Sequence, residues 1–161
     1  MRWFFYSMAI AIALGVLLVA AGQAGFLAGT QPPGLGVHEG RLAPPALAPN
    51  SVSSQAQLHP DNPQTKAAYI DPITFQGDPQ VAMDRLIGVL RQTEGARIIT
   101  QQPDYIYVQA STKLLKFTDD LEFWMDRANN VIHMRSASRI GRSDLGKNRA
   151  RLEDIRARFS S

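Results

Sequence analysis

The chain has 161 residues, room for one domain, and a net charge of +3 that is unevenly spread. Residues 135–158 carry eight Lys and Arg against three acids, a net of +5 that leaves the rest of the chain at −2; such a basic end suits an anionic partner or a solvated helix face. The absence of Cys excludes structural disulfides, thiolate metal sites, a cysteine nucleophile and a lipidated N-terminal cysteine.

Trp3 to Ala21 is an uncharged run of 19 residues preceded by Arg2, and no Lys or Arg follows until Arg41. That length suffices to cross a hydrocarbon core, and the charge bias places the N-terminus in the cytoplasm and the rest outside. A cleaved signal peptide is the rival, with Gly22-Gln23-Ala24 as a small-x-small cleavage site, but its usual apolar core is shorter. The expectation is therefore a single-pass protein of the inner (cytoplasmic) membrane with its domain in the periplasm or outside; the alternative is a secreted chain. Residues 1–23 form the anchor or signal segment, and residues 24–63, rich in Gly, Pro, Ala and Ser, a spacer. Gly34 to Val37 and Asn50 to Gln55 are the parts of it suited to dock on the domain of residues 64–161.

Within that domain Tyr69 to Phe75 predicts a first strand, with Pro72 arguing for an edge or a bulge. Asp78 caps a helix with Pro79 at its first position, and Ala82, Met83, Leu86, Val89 and Leu90 make one apolar stripe. Arg97–Thr100 and Tyr105–Thr112 predict one hairpin across Gln102-Pro103-Asp104, and Phe117–Asp126 with Val131–Arg139 a second around Asn129-Asn130. A final helix starts near Asp144 or Leu145, with Leu145, Asn148, Leu152, Ile155 and Phe159 facing inward. The order β-α-β-β-β-β-α predicts an α+β fold: an antiparallel sheet of about five strands with helices packed on one face, preceded by the transmembrane helix.

Period-two alternation sorts the second hairpin into faces. Phe117, Asp119, Leu121, Phe123 and Met125 share the core side with Ile132, Met134, Ser136, Ser138 and Ile140. The other side holds Asp120, Glu122, Trp124 and Asp126 against Val131, His133, Arg135 and Arg139. With a four-residue loop Glu122 faces Arg135; with two residues Asp120 faces Arg139 and Trp124 faces Arg135. Asp119 is expected buried with Ser136, Ser138 or helix amides as partners, because an unpaired buried carboxylate is very costly, whereas Asp120 is expected to meet water.

The chemistry-bearing patterns are few. Gly141 to Asn148 matches G-x-x-x-x-G-K but ends on Asn148 where a P-loop needs a Mg²⁺-binding hydroxyl, and no further parallel strand follows to complete a nucleotide-binding unit. Ser143 or Asp144 reads as the N-cap of the last helix. The same helix start, flanked by Arg142 and Arg149, suits an anionic group that is bound without hydrolysis. His38, His59 and His133 lack metal-ligand spacing, so neither metal nor cofactor is expected. Asp119, His133 and Ser136 or Ser138 supply the residue types of a triad, although alternation puts His133 on the face opposite both serines and no nucleophile elbow is present. Tyr105, Tyr107 and Trp124 could stack bases, but an extracytoplasmic address argues against nucleic acid.

FTDDLEFWMD, followed by VIHMRSASRIGRSDLGKNRARLEDIR and preceded by PNSVSSQA and YIDPITF, resembles the domain-of-unknown-function 1499 family over about residues 34–159. The family pattern falls on Asp119, Asp120, Glu122, Phe123, His133, Arg135, Ser136, Ser138, Arg139, Gly141, Ser143, Asp144, Gly146, Asn148 and Arg149. The resemblance implies a membrane-tethered or exported domain and supplies no mechanism. This chain departs from the pattern in lacking its cysteines near Pro45 and at Ser51, so no thiol role is essential here.

Two functions are compatible with these residues. One is a tethered, non-catalytic module of the bacterial envelope that binds an anionic ligand, a lipid headgroup or an envelope protein through Arg135, Arg139, Arg142, Ser143, Asn148, Arg149 and His133. In it Asp119, Asp120, Glu122, Ser136, Ser138 and Asp144 form a structural polar cluster. The other is a small hydrolase or transferase using Asp119, His133 and Ser138.

Overall fold

The computed structural model describes residues 2–161. An apolar helix, α1 (Arg2–Gln23), with a mean hydropathy of 2.4 over its best window, opens the chain and is long and apolar enough to cross a membrane. Strand β1 (Ser51–Ser53), a 3-10 turn (Ala56–Leu58) and the short helix α2 (Thr65–Ala68) lead into the two-residue strand β2 (Ile73–Thr74). Helix α3 (Pro79–Arg91) is followed by β3 (Ala96–Gln101), β4 (Tyr105–Ser111), β5 (Thr118–Asp126), β6 (Val131–Ser138) and helix α4 (Lys147–Ser160).

The sheet runs β1-β6-β5-β4-β3, all antiparallel, and β2 also pairs with β6. It has six strands instead of about five, because Ser51–Ser53 adds a strand beside Arg135–Ala137. The expected Tyr69–Phe75 strand shrinks to Ile73–Thr74. Pro72 donates no amide to a ladder, and Tyr69 instead makes an isolated parallel bridge to Ser53.

Helix α3 begins as its sequence dictates. The Asp78 carboxylate accepts from the amides of Gln80 (2.6 Å) and Val81 (3.4 Å), and Pro79 takes the first turn. Its buried stripe of Ala82, Met83, Leu86, Ile87 and Leu90 packs with Leu152, Ile155 and Phe159 of α4 onto Ile106, Val108, Leu121, Phe123, Ile132 and Met134. Each of the larger buried side chains contributes about 1.5–3 kcal/mol, so this layer carries the hydrophobic stability. At the α3–β3 turn Gly95 has φ 72°, and a Cβ there would sit 2.4 Å from the Ser111 carbonyl oxygen, so only glycine fits.

Two boundaries differ from expectation at the cleft end of the sheet. Helix α4 starts at Lys147 because Gly146 (φ 79°) and Leu145 (φ 54°) are both left-handed and cannot continue a helix. Leu145 is therefore outside the inward stripe and 88% exposed. Phe117 and Ile140 lie just beyond the strand ends and are exposed, not core.

The larger correction concerns the second face of the sheet. Leu35, Val37 and Leu42 lie against Tyr105, Tyr107 and Trp124, so residues 34–44 roof the charged side of the hairpin. Asp120 is 1% exposed and Glu122 0%. Leu35 and Val37 stand two residues apart and Leu42 follows five later in a Gly-rich stretch, too few apolar positions for a periodicity to announce a covering layer.

Candidate functional site

Strand register decides which polar groups meet. The β5–β6 loop holds four residues, so Asp119 faces Ser138, Asp120 faces Ala137, Glu122 faces Arg135 and Trp124 faces His133. Beneath the roof this produces two buried ion pairs. Arg135 NH1 donates to Glu122 Oε2 (3.1 Å), while Glu122 Oε1 accepts from the Tyr105 hydroxyl (2.9 Å) and the Gly36 amide (2.7 Å). Arg139 reaches Asp120 Oδ1 (2.8 Å) and Oδ2 (3.0 Å), and the Tyr107 hydroxyl donates to Asp120 Oδ1 (2.5 Å).

Burial, reinforced by Glu122, pushes the Tyr105 hydroxyl far above its usual range. Burial and the hydrogen bond to Asp120 raise Tyr107, so both phenols stay neutral donors. The bond to Asp120 holds the Arg139 guanidinium charged. Remaining donors close the layer: Arg135 reaches the Pro44 carbonyl and Arg139 that of Gly29. Two residues expected to contact a ligand, Arg135 and Arg139, are thus internal ties between sheet and roof.

On the helix face Asp119 pairs with Arg151 NH2 (2.8 Å). Asn148, wholly buried, knots the neighbourhood together: its Oδ1 accepts from Ser136 Oγ and Arg151 NH1, and its Nδ2 donates to the Asn50 carbonyl and to Ser138 Oγ. The start of α4 is likewise occupied from within. Asp144 accepts from the Gly146 (3.1 Å) and Asn148 (2.8 Å) amides, and Ser143 Oγ from the Leu145 amide (3.2 Å). Arg149 spends its guanidinium on the carbonyls of Ala67 and Tyr69. Of the residues expected to bind an anion, Arg142 stays exposed and makes no hydrogen bond or ion pair among the described residues.

His133 is not brought near Asp119 or Ser138. Its ring stacks on Trp124 (5.3 Å between centroids), its Nδ1 meets Ser54 Oγ (3.1 Å), and its Nε2 lies 3.8 Å from Asp126. Ser54 Oγ also accepts from the Met134 amide, so the serine fastens β1 to the sheet. Burial lowers the His133 pKa, with Asp126 opposing it. The unfolded chain then binds a proton at a higher pH than the folded one, so stability is full above about 6.5 and falls as pH drops through the folded value. Comparing urea midpoints at about pH 7.5 and about pH 5 should show a smaller acid loss in His133→Gln than in the parent; an equal loss would place the sensitivity elsewhere, His59 being also lowered by burial.

An open cleft of about 370 Å³ lies between the β4–β5 turn and the β6–α4 loop. Phe117, Ile140 and Leu145 supply its apolar walls; Asp119, Ser138, Asp144 and Lys147 supply its polar groups. Asp119 gives one oxygen to Arg151 and its Oδ1 accepts no hydrogen bond among the described residues. Ser138 Oγ accepts from Asn148, which leaves its proton free to donate. Thr112 also borders a second hollow, of about 340 Å³, whose charged lining is Lys113, Lys116 and Arg151 with Glu94. An apolar slot with a few convergent polar groups, of a volume at the lower end of small-molecule sites, thus adjoins one of net positive charge. Among the described residues no group of three His, Asp or Glu side chains could hold a metal ion.

The family model described as "Protein of unknown function (DUF1499)" matches residues 41–159, which takes in the roof's end, every strand and the cleft. The chain belongs to this family. No curated protein matches it. The DUF1499 signature run, Asp119 to Arg149, is accounted for by geometry: Asp119, Asp120, Glu122, Arg135, Ser136, Ser138, Arg139, Asp144, Asn148 and Arg149 all make the internal bonds above. Sequence reading missed Tyr105, Tyr107, Arg151, Gly36 and Ser54 as partners. Only the tyrosines carried a signal, since alternation puts them on the face of Asp120 and Glu122.

Proposed function

We propose that this DUF1499 protein is a membrane-tethered, extracytoplasmic and non-catalytic module that takes an anionic amphiphile from the bilayer. Its apolar chain enters the Phe117–Ile140–Leu145 cleft and its headgroup meets Lys113, Lys116 and Lys147. The observation that carries this reading is the adjacency of the two hollows across Thr112, one with apolar walls and one where Lys113, Lys116 and Arg151 outnumber a single carboxylate, Glu94. Helix α1 supports the tether, being fully exposed along Arg2–Leu18, as a span in lipid would be. Arg2 before it and the lack of Lys or Arg until Arg41 support an N-in orientation. The hydrolase alternative gains no support, because Asp119 and Ser138 lie on the helix face while His133 is held by Ser54 and Asp126 on the other.

The test is lipid retention by the full-length chain purified from carbonate-washed membranes in mild detergent. Native mass spectrometry should find an anionic lipid on the parent protein. Ile140→Trp, which fills the cleft from an exposed position, should lose most of that lipid while melting at the parent temperature. Equal retention by the filled variant would defeat the proposal.

A further inference from the structure

The end of α1 is not joined to the domain by a free tether. Gln23 Nε2 donates to the carbonyls of Lys113 (3.2 Å) and Leu114 (2.8 Å) in the β4–β5 turn. One residue earlier, Gly22 is buried against that turn, where an added Cβ would come within 2.6 Å of the Leu115 carbonyl oxygen. Further on, Gly29 packs on the Arg139 and Ile140 side chains. Two contacts from the last turn of α1 and a third from Gly29 beyond it therefore fasten the end of the helix to the cleft end of the sheet.

Helix length then fixes a depth. Twenty-two residues at 1.5 Å each span about 33 Å, close to the roughly 30 Å of a hydrocarbon core. If α1 is the retained anchor proposed above, on which this inference rests, Gln23 lies at the outer boundary of that core. The carbonyls it binds lie there too.

The surface at that level has the composition of an interface. Leu114 is 60% exposed, Phe26 83% and Leu145 88%, with Phe117 and Ile140 beside them. Leu145 is presented by a left-handed backbone (φ 54°), a conformation costing about 1–2 kcal/mol outside glycine, at the tip of a loop where burial in the protein gives nothing back. Lys113, Lys116, Arg142 and Lys147 lie on the loops that carry these side chains; of the nearby carboxylates, Asp144 caps α4 and Asp119 is paired with Arg151, which leaves Glu94 against four cations. Apolar tips among a surplus of cations complement the headgroup and upper acyl region of an anionic leaflet.

We infer that this face, Phe26 with the 113–117 turn and the 140–147 loop, docks flat on the leaflet that α1 enters, so that the cleft opens into lipid and not into water. The β5–β6 hairpin at the other end of the strands then points away, about 25 Å higher for eight residue steps of strand.

The chain has no Cys, so single labels are unambiguous. Full-length Leu114→Cys, Leu145→Cys and Ala128→Cys chains, each carrying an environment-sensitive NBD dye, are placed in nanodiscs of mixed phosphatidylglycerol and phosphatidylcholine, at several chains per disc and at one. Lipids bearing a nitroxide near the headgroup act as quencher. Labels at positions 114 and 145 should emit blue-shifted and be quenched several-fold more than the hairpin label at 128. Quenching at 114 and 145 no stronger than at 128, in discs holding full-mass chain, overturns the docking face while leaving the anchor standing. A blue shift that lipid quencher leaves untouched and that vanishes on dilution to one chain per disc assigns the face to a second copy and also overturns it. Recovery from cells of only a shortened soluble chain, told apart by mass, removes both the anchor and the docking face.

Discussion

Asp120→Ala should cost about 3–5 kcal/mol of unfolding free energy, the range for removing one partner of a buried ion pair, and so much of a small domain's stability. Asp119→Ala should cost less, about 1.5–3 kcal/mol, the worth of a hydrogen bond to a charged group. The difference follows from what each change leaves behind. Without Asp120, the Arg139 guanidinium, its side chain 7% exposed, keeps only the Tyr107 hydroxyl and a long contact to the Gly29 carbonyl. Without Asp119, Arg151 retains Asn148 Oδ1 and is already 18% exposed, so its charge can turn to water. Sequence alternation alone predicts the reverse order, since it puts Asp119 on the apolar face and Asp120 outside. Urea unfolding followed by Trp124 fluorescence in a Trp3→Phe background separates the two. A milder effect of Asp120→Ala would mean that residues 34–44 do not close over the sheet in solution.

That reversal shows where the sequence is informative and where it is not. Period-two and period-3.6 patterns are local, and they place the two hairpins and both long domain helices, because each follows from neighbours within a few residues; they leave two loop lengths open for the second hairpin, and the structure has the four-residue one that sets Glu122 against Arg135. Asp78-Pro79 is readable for the same reason: a cap and a fixed φ act on adjacent amides. The roof is a long-range event. Gly36 reaches Glu122 and Pro44 reaches Arg135 across most of the domain, and no periodicity marks a segment that packs through three scattered side chains and its backbone. Counting alternation on β5 therefore gives the right faces but the wrong exposure for one of them. The start of α4 is a second place where long-range partners, those of Asn148 and Arg149, are not visible in the sequence. Gly141 to Asn148 has the composition of a phosphate loop, yet its Leu145, Gly146 and Asn148 amides are bonded to the Ser143 and Asp144 side chains of the same loop. What remained illegible was the cleft, which exists only because the β4–β5 turn and the β6–α4 loop close on one end of the sheet.

The second ion pair offers a sharper experiment, because both of its members lie under the roof and can be removed together. Glu122→Leu alone should cost about 3–5 kcal/mol by stranding Arg135 beside the Pro44 carbonyl without its counter-ion. Arg135→Met alone should cost a comparable amount, leaving a carboxylate of zero exposure with only the Tyr105 hydroxyl and the Gly36 amide. In the double variant neither charge remains and the two side chains replace the pair with apolar volume. The loss should then be smaller than the sum of the single losses by about 2–3 kcal/mol, the coupling expected of residues in direct contact. A residual cost should persist, because the Tyr105 hydroxyl and the Gly36 amide lose their acceptor. That residue separates the pair's electrostatics from the roof's attachment: a further Tyr105→Phe change should be nearly neutral in the double variant and destabilising in the parent. Additive single losses would mean that Arg135 finds solvent or another anion when Glu122 is gone, and that the roof, not the ion pair, sets the stability of this face.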